Sequence, residues 1–139
     1  MYVDTSVYMY AFGAPSPFKE SCAAALEAGA AGRLSLVTSV ETLQEILHRY
    51  RSLQRTDDLR VVFDAVLAST RSVLPIVVDD MQEARELGET LSPDSGVSAR
   101  DLLHAAVARR HGLSQILSTD SGFDAVLGIE RVDPRELKI

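Results

Sequence analysis

Short β-branched and apolar runs alternate with longer helix-like segments along the whole of this chain. The strand-like runs are Tyr2–Val3, Ser35–Thr38, Pro75–Val78, Gln115–Ser118 and Ile129–Val132. The helix-like segments are roughly 5–12, 17–30, 39–53, 57–71, 79–91, 99–111 and 121–126. Alternation of this kind is typical of a parallel sheet whose faces are covered by helices. The sequence therefore predicts an α/β fold with a central, mainly parallel sheet of four to five strands.

Length, apolar content and cysteine usage limit the class of protein. The chain has 139 residues, of which 46% are apolar, and this fits one globular domain over residues 1–139. No apolar run reaches the ~18–20 residues that a membrane helix needs, and the N-terminal residues show no basic region followed by an apolar run, so we expect no signal peptide. Cys22 is the only cysteine, so no internal disulfide can form. We therefore expect a cytoplasmic protein that does not involve a membrane, with Cys22 buried in an alanine-rich helix.

The charge is negative overall but unevenly distributed. A net charge of −6 argues against a passive nucleic-acid coat protein, although it permits an enzyme whose acidic site recruits metal ions. The segment 48–71 nevertheless carries five arginines: Arg49, Arg51, Arg55, Arg60 and Arg71. An arginine-bearing helix face is suited to contacting phosphates. A merely solvated face is the alternative.

Four acidic residues lie where the predicted fold would place a functional site. Asp4 follows the first strand and Asp120 follows the fourth, and parallel sheets bind ligands at the carboxyl ends of their strands. Asp101 lies in the first turn of the helix in "SARDLLHAAVARRHG". Glu45 lies in "TSVETLQEILHRY", after the second strand.

Each of these acids also has a purely structural interpretation. Asp4 and Asp120 are suitable helix caps, and the spacing of Ser98 and Asp101 matches a capping box. Periodicity alone predicts that Glu45 is solvated, since it lies off the apolar stripe of its helix. That stripe comprises Val40, Leu43, Ile46, Leu47, Tyr50 and Leu53. Glu41, early in the same helix, competes with Glu45 for any role.

Taken together, the four acids favour metal-dependent chemistry. Two carboxylates ~4 Å apart repel by roughly 4 kcal/mol at an effective dielectric constant of ~20, so a cluster persists only if protons or cations neutralise it. Carboxylate oxygens suit Mg²⁺ or Mn²⁺, whereas His104 and His111 lack the further soft ligands of a zinc site. Cations held at a sheet edge are typical of phosphoryl chemistry.

Several other enzyme classes lack their motifs in this chain. There is no P-loop, no G-x-G-x-x-G and no G-x-S-x-G. An aspartyl-nucleophile phosphatase would usually need a second aspartate two residues after Asp4, where this chain has Ser6. A receiver domain would need a late lysine, and the only one is Lys138.

Four pieces of sequence, in order, resemble a known family. They are "VDTSV", "TSVETLQEIL", "RDLLHAAVARRHG" and "ILSTDSGFD". In order and spacing the chain is similar to PIN-domain ribonucleases, in particular to the VapC-type toxins of toxin–antitoxin pairs. The resemblance implies a single PIN-like domain of three layers, α/β/α. The stretch 57–95 resembles nothing specific.

The resemblance also implies roles for individual residues. Carried over position by position, Asp4, Glu45, Asp101 and Asp120 would form an acidic site for one or two Mg²⁺ or Mn²⁺ ions. The hydroxyl-bearing residues that would support this site are Thr5, Ser6 and Thr119. Asp124 would be an accessory acid. His104 is interpreted as packing near the site rather than acting as a base.

The function implied is a metal-dependent endoribonuclease that cuts RNA phosphodiesters. Its partners would be an RNA substrate, a small VapB-like antitoxin and a second copy of the chain in a homodimer. Two alternatives remain open: a structure-specific DNA nuclease, and a catalytically inert PIN-like scaffold that binds RNA or protein. Retention of all four acids argues against the scaffold.

Overall fold

The computed structural model describes residues 1–139, and its centre is one sheet of five parallel strands in the order β3-β2-β1-β4-β5. The strands are β1 (Tyr2–Val3), β2 (Val37–Ser39), β3 (Ser72–Leu74), β4 (Gln115–Leu117) and β5 (Glu130–Val132). The helices are α1 (Thr5–Ala11), α2 (Lys19–Ala30), α3 (Val40–Ser52), α4 (Thr56–Ser69), α5 (Val78–Glu89) and α6 (Ala99–Arg110), with a 3₁₀ turn at Ser121–Ala125. The predicted α/β class with a parallel sheet is confirmed.

The side chains of the two central strands point alternately to the two faces of the sheet, and each face carries a hydrophobic core. Val3 and Leu117 belong to one cluster of buried side chains, together with apolar residues of α1 to α4. Tyr2 and Ile116 belong to a second cluster, with residues of α5 and α6. Since successive side chains of a strand point to opposite faces, the sheet lies between two helical layers. The three-layer architecture is confirmed. None of the helices combines the length and the hydrophobicity that a membrane-spanning segment needs.

The third strand was predicted in the wrong place. The sequence predicts this strand at Pro75–Val78, but β3 is Ser72–Leu74. In β3, Val73 pairs with Thr38 and Leu74 pairs with Ser39. Pro75 has no N–H to donate to a neighbouring strand, so the ladder ends before it. Val78 begins α5 and is 73% exposed. The other elements agree with their predicted bounds to within two residues at each end.

The buried face of α3 includes only part of its apolar stripe and extends to Thr42. Leu47 and Leu53 are exposed, whereas Thr42 is fully buried beside Ile46. Thr42 and Glu45 are three residues apart and therefore share a helix face. Glu45 is accordingly turned inward, with only 17% of its side chain exposed, so the expectation of a solvated Glu45 from periodicity is wrong.

Cys22 is fully buried in α2, as predicted. Burial, assisted by the charge of Asp133, raises the pKa of its thiol to about 12. A thiol of this kind stays protonated and unreactive at neutral pH. Cys22 is therefore a packing residue.

Candidate active site

The strand order places Asp4 and Asp120 beside each other at the carboxyl edge of the sheet. Strands β1 and β4 are central neighbours, with Val3 opposite Leu117, and the Asp4 backbone N–H donates to the Leu117 carbonyl at 3.0 Å. Asp4 directly follows β1, and Asp120 follows the end of β4 after Ser118 and Thr119. In α/β sheets this edge is the usual position of a ligand site.

All four acids predicted from the sequence line one cleft. The cleft has a volume of about 400 Å³ and is lined by, among others, Asp4, Thr5, Ser6, Glu45, Arg100, Asp101 and Asp120. Asp101 reaches it from the first turn of α6, and Glu45 reaches it from the second turn of α3. Four separate segments therefore bring carboxylates to one side of the sheet edge.

Three of the acids are also caps, so the structural interpretation holds beside the functional one. Asp4 accepts a hydrogen bond from the Ser6 backbone N–H at 3.3 Å, and Asp120 accepts one from the Gly122 N–H at 2.8 Å. Asp101 accepts from the N–H of Ser98 at 2.8 Å, completing a capping box. These capping hydrogen bonds fix the backbone beside each carboxylate, and each carboxylate still lies on the wall of the cleft.

Ser118, which the sequence analysis did not single out, connects the two aspartates of the sheet edge. Its buried hydroxyl donates to Asp4 Oδ2 at 2.8 Å and accepts from the Asp120 N–H at 3.0 Å. Ser6 contributes in a similar way, since its hydroxyl accepts from the Thr119 N–H at 3.2 Å. The available signal was position, because Ser118 follows β4 directly. Thr119 contacts the site through its backbone.

His104 holds Glu45 from beneath the cleft. Its Nε2 lies 2.6 Å from Glu45 Oε1 and 3.7 Å from Asp4 Oδ1, and its side chain is 1% exposed. Its Nδ1 lies 2.6 Å from the hydroxyl of Tyr2, a residue of β1. The Thr5 hydroxyl donates to the same Glu45 oxygen at 3.0 Å. His104 packs beneath the site, as predicted, and it also fixes the direction of a carboxylate.

The electrostatics of this pair favour its charged form. Burial would lower the pKa of His104, but the neighbouring Tyr2 and the carboxylates of Glu45 and Asp4 raise it well above its ordinary value. Burial would raise the pKa of Glu45, but the hydrogen bond and charge of His104, with help from Thr5 and Arg100, lower it overall. In its protonated form, His104 would donate from Nε2 to Glu45 and from Nδ1 to Tyr2.

The carboxylates of the cleft also influence one another. Burial raises the pKa of Asp101, and the negative charges of Asp120 and Asp4 raise it further, against the opposing hydrogen bonds from Ser98. A cation bound between these acids would relieve this mutual repulsion.

Asp124 is directed away from this set of acids. Its two carboxylate oxygens accept hydrogen bonds from the Arg131 guanidinium at 2.8 and 3.2 Å. It does not line the acidic cleft, but it lines an adjoining hollow that includes Asp120. Its contacts are those of an ion pair at the rim.

The residues of the cleft have the chemistry that a hard divalent cation prefers, but their side chains do not yet converge on one point. No three His, Cys, Asp or Glu side chains converge closely enough to hold a metal ion as they stand. Each carboxylate instead turns to a local partner: Asp4 to Ser118, Glu45 to His104, Asp101 to Ser98 and Asp120 to Gly122. Four carboxylates and no thiol are the kind of donor set that Mg²⁺ or Mn²⁺ prefers.

Comparison with known proteins identifies the class that this fold and cleft define. Residues 1–128 match the model of the PIN domain family. Since the match spans most of the 139 residues, the chain belongs to the PIN-domain family.

More specific relatives lie within that family. Ribonuclease VapC13 of Mycobacterium tuberculosis is 39% identical over 130 residues, which cover 94% of this chain and 97% of that protein. The chain therefore belongs to the VapC group of PIN-domain proteins, and the resemblance drawn from the four motifs is confirmed.

Two solved structures share the fold at low sequence identity. VapC20 of Mycobacterium tuberculosis, described as a sarcin-ricin loop cleaving toxin, superposes with a TM-score of 0.70 at 18% identity, covering 92% of this chain and 97% of that one. VapBC2 of Rickettsia felis, bound to a DNA fragment from their promoter, gives a TM-score of 0.71 at 15% identity, with 94% and 96% covered.

Proposed function

We propose that residues 1–139 act as one PIN-like domain, a cytoplasmic endoribonuclease that is the toxin of a VapBC-type toxin–antitoxin pair. The observation that carries this proposal is the cleft in which Asp4, Glu45, Asp101 and Asp120 meet at the carboxyl edge of the sheet. The likeness to VapC ribonucleases over 94% of the chain supports RNA as the substrate.

Asp4, Glu45, Asp101 and Asp120 would hold one or two Mg²⁺ or Mn²⁺ ions. A divalent cation in this cleft would polarise a phosphodiester and favour attack by water. Without a cation, four carboxylates would repel a phosphate placed between them, so a bound cation would be needed to hold the reacting phosphate at the acids.

The surrounding polar residues hold the carboxylates in place. Ser118 fixes Asp4 and the backbone of Asp120, while Thr5 and His104 fix Glu45. Hydrogen bonds to coordinating carboxylates hold them in the orientation that the metal ion needs. Loss of such a hydrogen bond typically lowers metal affinity by about 10–100-fold.

Cleavage of matched RNA and DNA strands tests the proposed activity. We expect the purified chain, supplied with Mn²⁺, to cut single-stranded RNA and leave DNA of the same sequence intact. Asp64→Asn, which changes an exposed acid of α4 outside the cleft, should cut RNA at the wild-type rate. Cutting of DNA alone would instead identify a DNA nuclease, and binding of RNA without cutting would identify an inert scaffold.

A shallow apolar groove is the site we propose for the antitoxin. The groove measures about 280 Å³, lies between α1, α2 and α4, and is lined mainly by apolar side chains that include Phe12, Ala23, Leu26 and Ala30. The resemblance to VapC toxins implies a small antitoxin, and the apolar face of an amphipathic segment would fit this groove.

We also propose a homodimer. Light scattering of the purified chain tests this directly, and a purely monomeric mass would contradict it.

Neutralisation in cells tests the groove. Expression of the chain should arrest growth, and co-expression of a cognate antitoxin should restore it. Ala30→Arg places a charge in the groove, so we expect growth arrest to persist despite the antitoxin. Ala24→Arg, on an exposed position of α2 outside the groove, is the matched control and should be neutralised. Full neutralisation of Ala30→Arg would exclude this groove.

A further inference from the structure

The acidic cleft continues along helix α3 as one groove. A second hollow of about 410 Å³ shares Met9, Glu45 and Arg100 with the acidic cleft and is also lined by Arg49. A third hollow of about 420 Å³ shares Met9 and Arg49 with the second and reaches the loop 13–16. Because neighbouring hollows share wall residues, they adjoin one another in a row that begins at the acids, hereafter the α3 groove.

The α3 groove is lined by positive charge at two points. Arg100 is 59% exposed, and its Nη1 lies 3.8 Å from Glu45 Oε2, directly at the acidic cleft. Arg49 is exposed, makes no ion pair, and lies between the second and third hollows. Exposed guanidinium groups in a chain of net charge −6 stand out as phosphate ligands.

The opposite side of the acidic cleft has the reverse character. There a hollow of about 520 Å³ shares Gly96 and Asp120 with the cleft and is also lined by Asp124, with no lysine or arginine in its wall. A phosphate backbone leaving the cleft on this side would pass the carboxylates of Asp120 and of Asp124, which is paired with Arg131. The distribution of charge therefore favours one exit for a strand, along the α3 groove.

We propose that single-stranded RNA lies in the α3 groove, with Arg100 binding the backbone phosphate nearest the acids and Arg49 binding one further along. This assignment rests on the proposed ribonuclease function. Tyr10 lines both the acidic cleft and the third hollow and is 37% exposed, with its ring supported by Phe18 at 5.1 Å between centroids. An aromatic ring held in this way provides a stacking surface for a base.

Of the five arginines of segment 48–71, only Arg49 lines the α3 groove. Arg55 is engaged by Asp58 at 2.5 Å. Arg51 is exposed on α3, but it lies two positions after Arg49 and is turned by about 200° around the helix axis. Arg51 does not line the α3 groove. It is therefore a matched control for Arg49, with the same charge on the same helix.

Salt-dependent RNA binding tests the assignment independently of cleavage. A short fluorescent single-stranded RNA is titrated with wild type, Arg49→Ala, Arg100→Ala, the double variant and Arg51→Ala, all in EDTA to prevent cutting. We expect each groove substitution to weaken binding by about tenfold. The double variant should flatten the slope of log affinity against log salt by about 1.4, the value for two phosphate contacts on a single strand. Arg51→Ala should retain the wild-type slope.

Kinetics with Mn²⁺ provide the second readout. We expect KM to rise in Arg49→Ala while kcat is preserved, because a contact remote from the reacting bond is equally strong in the ground state and the transition state. Arg51→Ala weakening RNA as much as Arg49→Ala, or an unaltered salt slope in the double variant, would overturn the assignment. If wild type binds RNA in this groove without cutting it, the proposed ribonuclease function fails while the RNA path stands.

Discussion

Asp4→Asn is expected to reduce RNA cleavage by about a thousandfold or more while the fold is retained. The substitution removes one negative charge from the set proposed to hold the cation, and metal-assisted stabilisation of a phosphoryl transition state is worth several kcal/mol, with ~1.4 kcal/mol for each factor of ten. Rates of cleavage of a defined RNA under single-turnover conditions measure the loss.

The contacts of Asp4 explain why the fold should survive this change. An asparagine at this position can still accept the hydrogen bonds now made by the Ser6 N–H and the Ser118 hydroxyl. Removal of the Asp4 charge also relieves the repulsion that raises the pKa of Asp101. Urea denaturation should therefore show equal or slightly higher stability for Asp4→Asn. If Asp4 were only a helix cap, the variant would cleave RNA like wild type.

Loss of the His104 side chain is expected to have the second largest effect. His104→Ala removes the buried donor to Glu45 and leaves a cavity beneath the cleft, which together should cost about 3 kcal/mol in the free energy of unfolding. Mn²⁺ affinity should fall 10–100-fold, because Glu45 loses the hydrogen bond that orients it. His104→Gln retains an N–H donor near the position of Nε2 and should recover most of the Mn²⁺ affinity.

Calorimetric titration with Mn²⁺ separates this positioning role from simple packing. If His104 only fills space, His104→Ala should lose stability yet bind Mn²⁺ as wild type does. The pH dependence of stability gives a further check, because the pKa of His104 is raised in the folded state. The stabilisation that His104 provides is therefore complete below the pKa of an unfolded histidine, about 6.5. The stability cost of His104→Gln should thus be largest below that pH, while Glu45 remains ionised, and shrink as pH rises through the raised pKa.

The fold was predictable because its signals are local. The central strands Tyr2–Val3 and Gln115–Leu117 are short apolar runs between helical patterns, and each is followed by an aspartate. Strand β3 was misplaced because the run Pro75–Val78 has β propensity but cannot use it, since the ladder ends before the proline and Val78 enters α5. Propensity describes a residue, whereas pairing depends on which backbone groups the neighbouring strand offers.

The sequence predicted which acids lie in the cleft, but it did not predict which residues hold those acids in place. Glu45 was identified by its motif against the periodicity of its own helix, which misled because buried Thr42 carries no hydrophobic signal. The contacts of His104 with Tyr2 and Glu45, and of Ser118 with Asp4, join residues 59 to 114 positions apart. Contacts at such separations follow from the order of strands in the sheet, which no local pattern encodes.

The central claim is that the carboxylates of this cleft hold the divalent cation that RNA cleavage requires. Its most direct test is one titration of Mn²⁺ into metal-free wild type and Asp4→Asn, with binding followed by calorimetry and RNA cleavage measured on the same samples. The account predicts that wild-type cleavage is absent in EDTA and rises in parallel with Mn²⁺ occupancy, and that Asp4→Asn both binds Mn²⁺ more weakly and fails to cleave. Full cleavage by wild type in EDTA, or wild-type cleavage by Asp4→Asn, would contradict it.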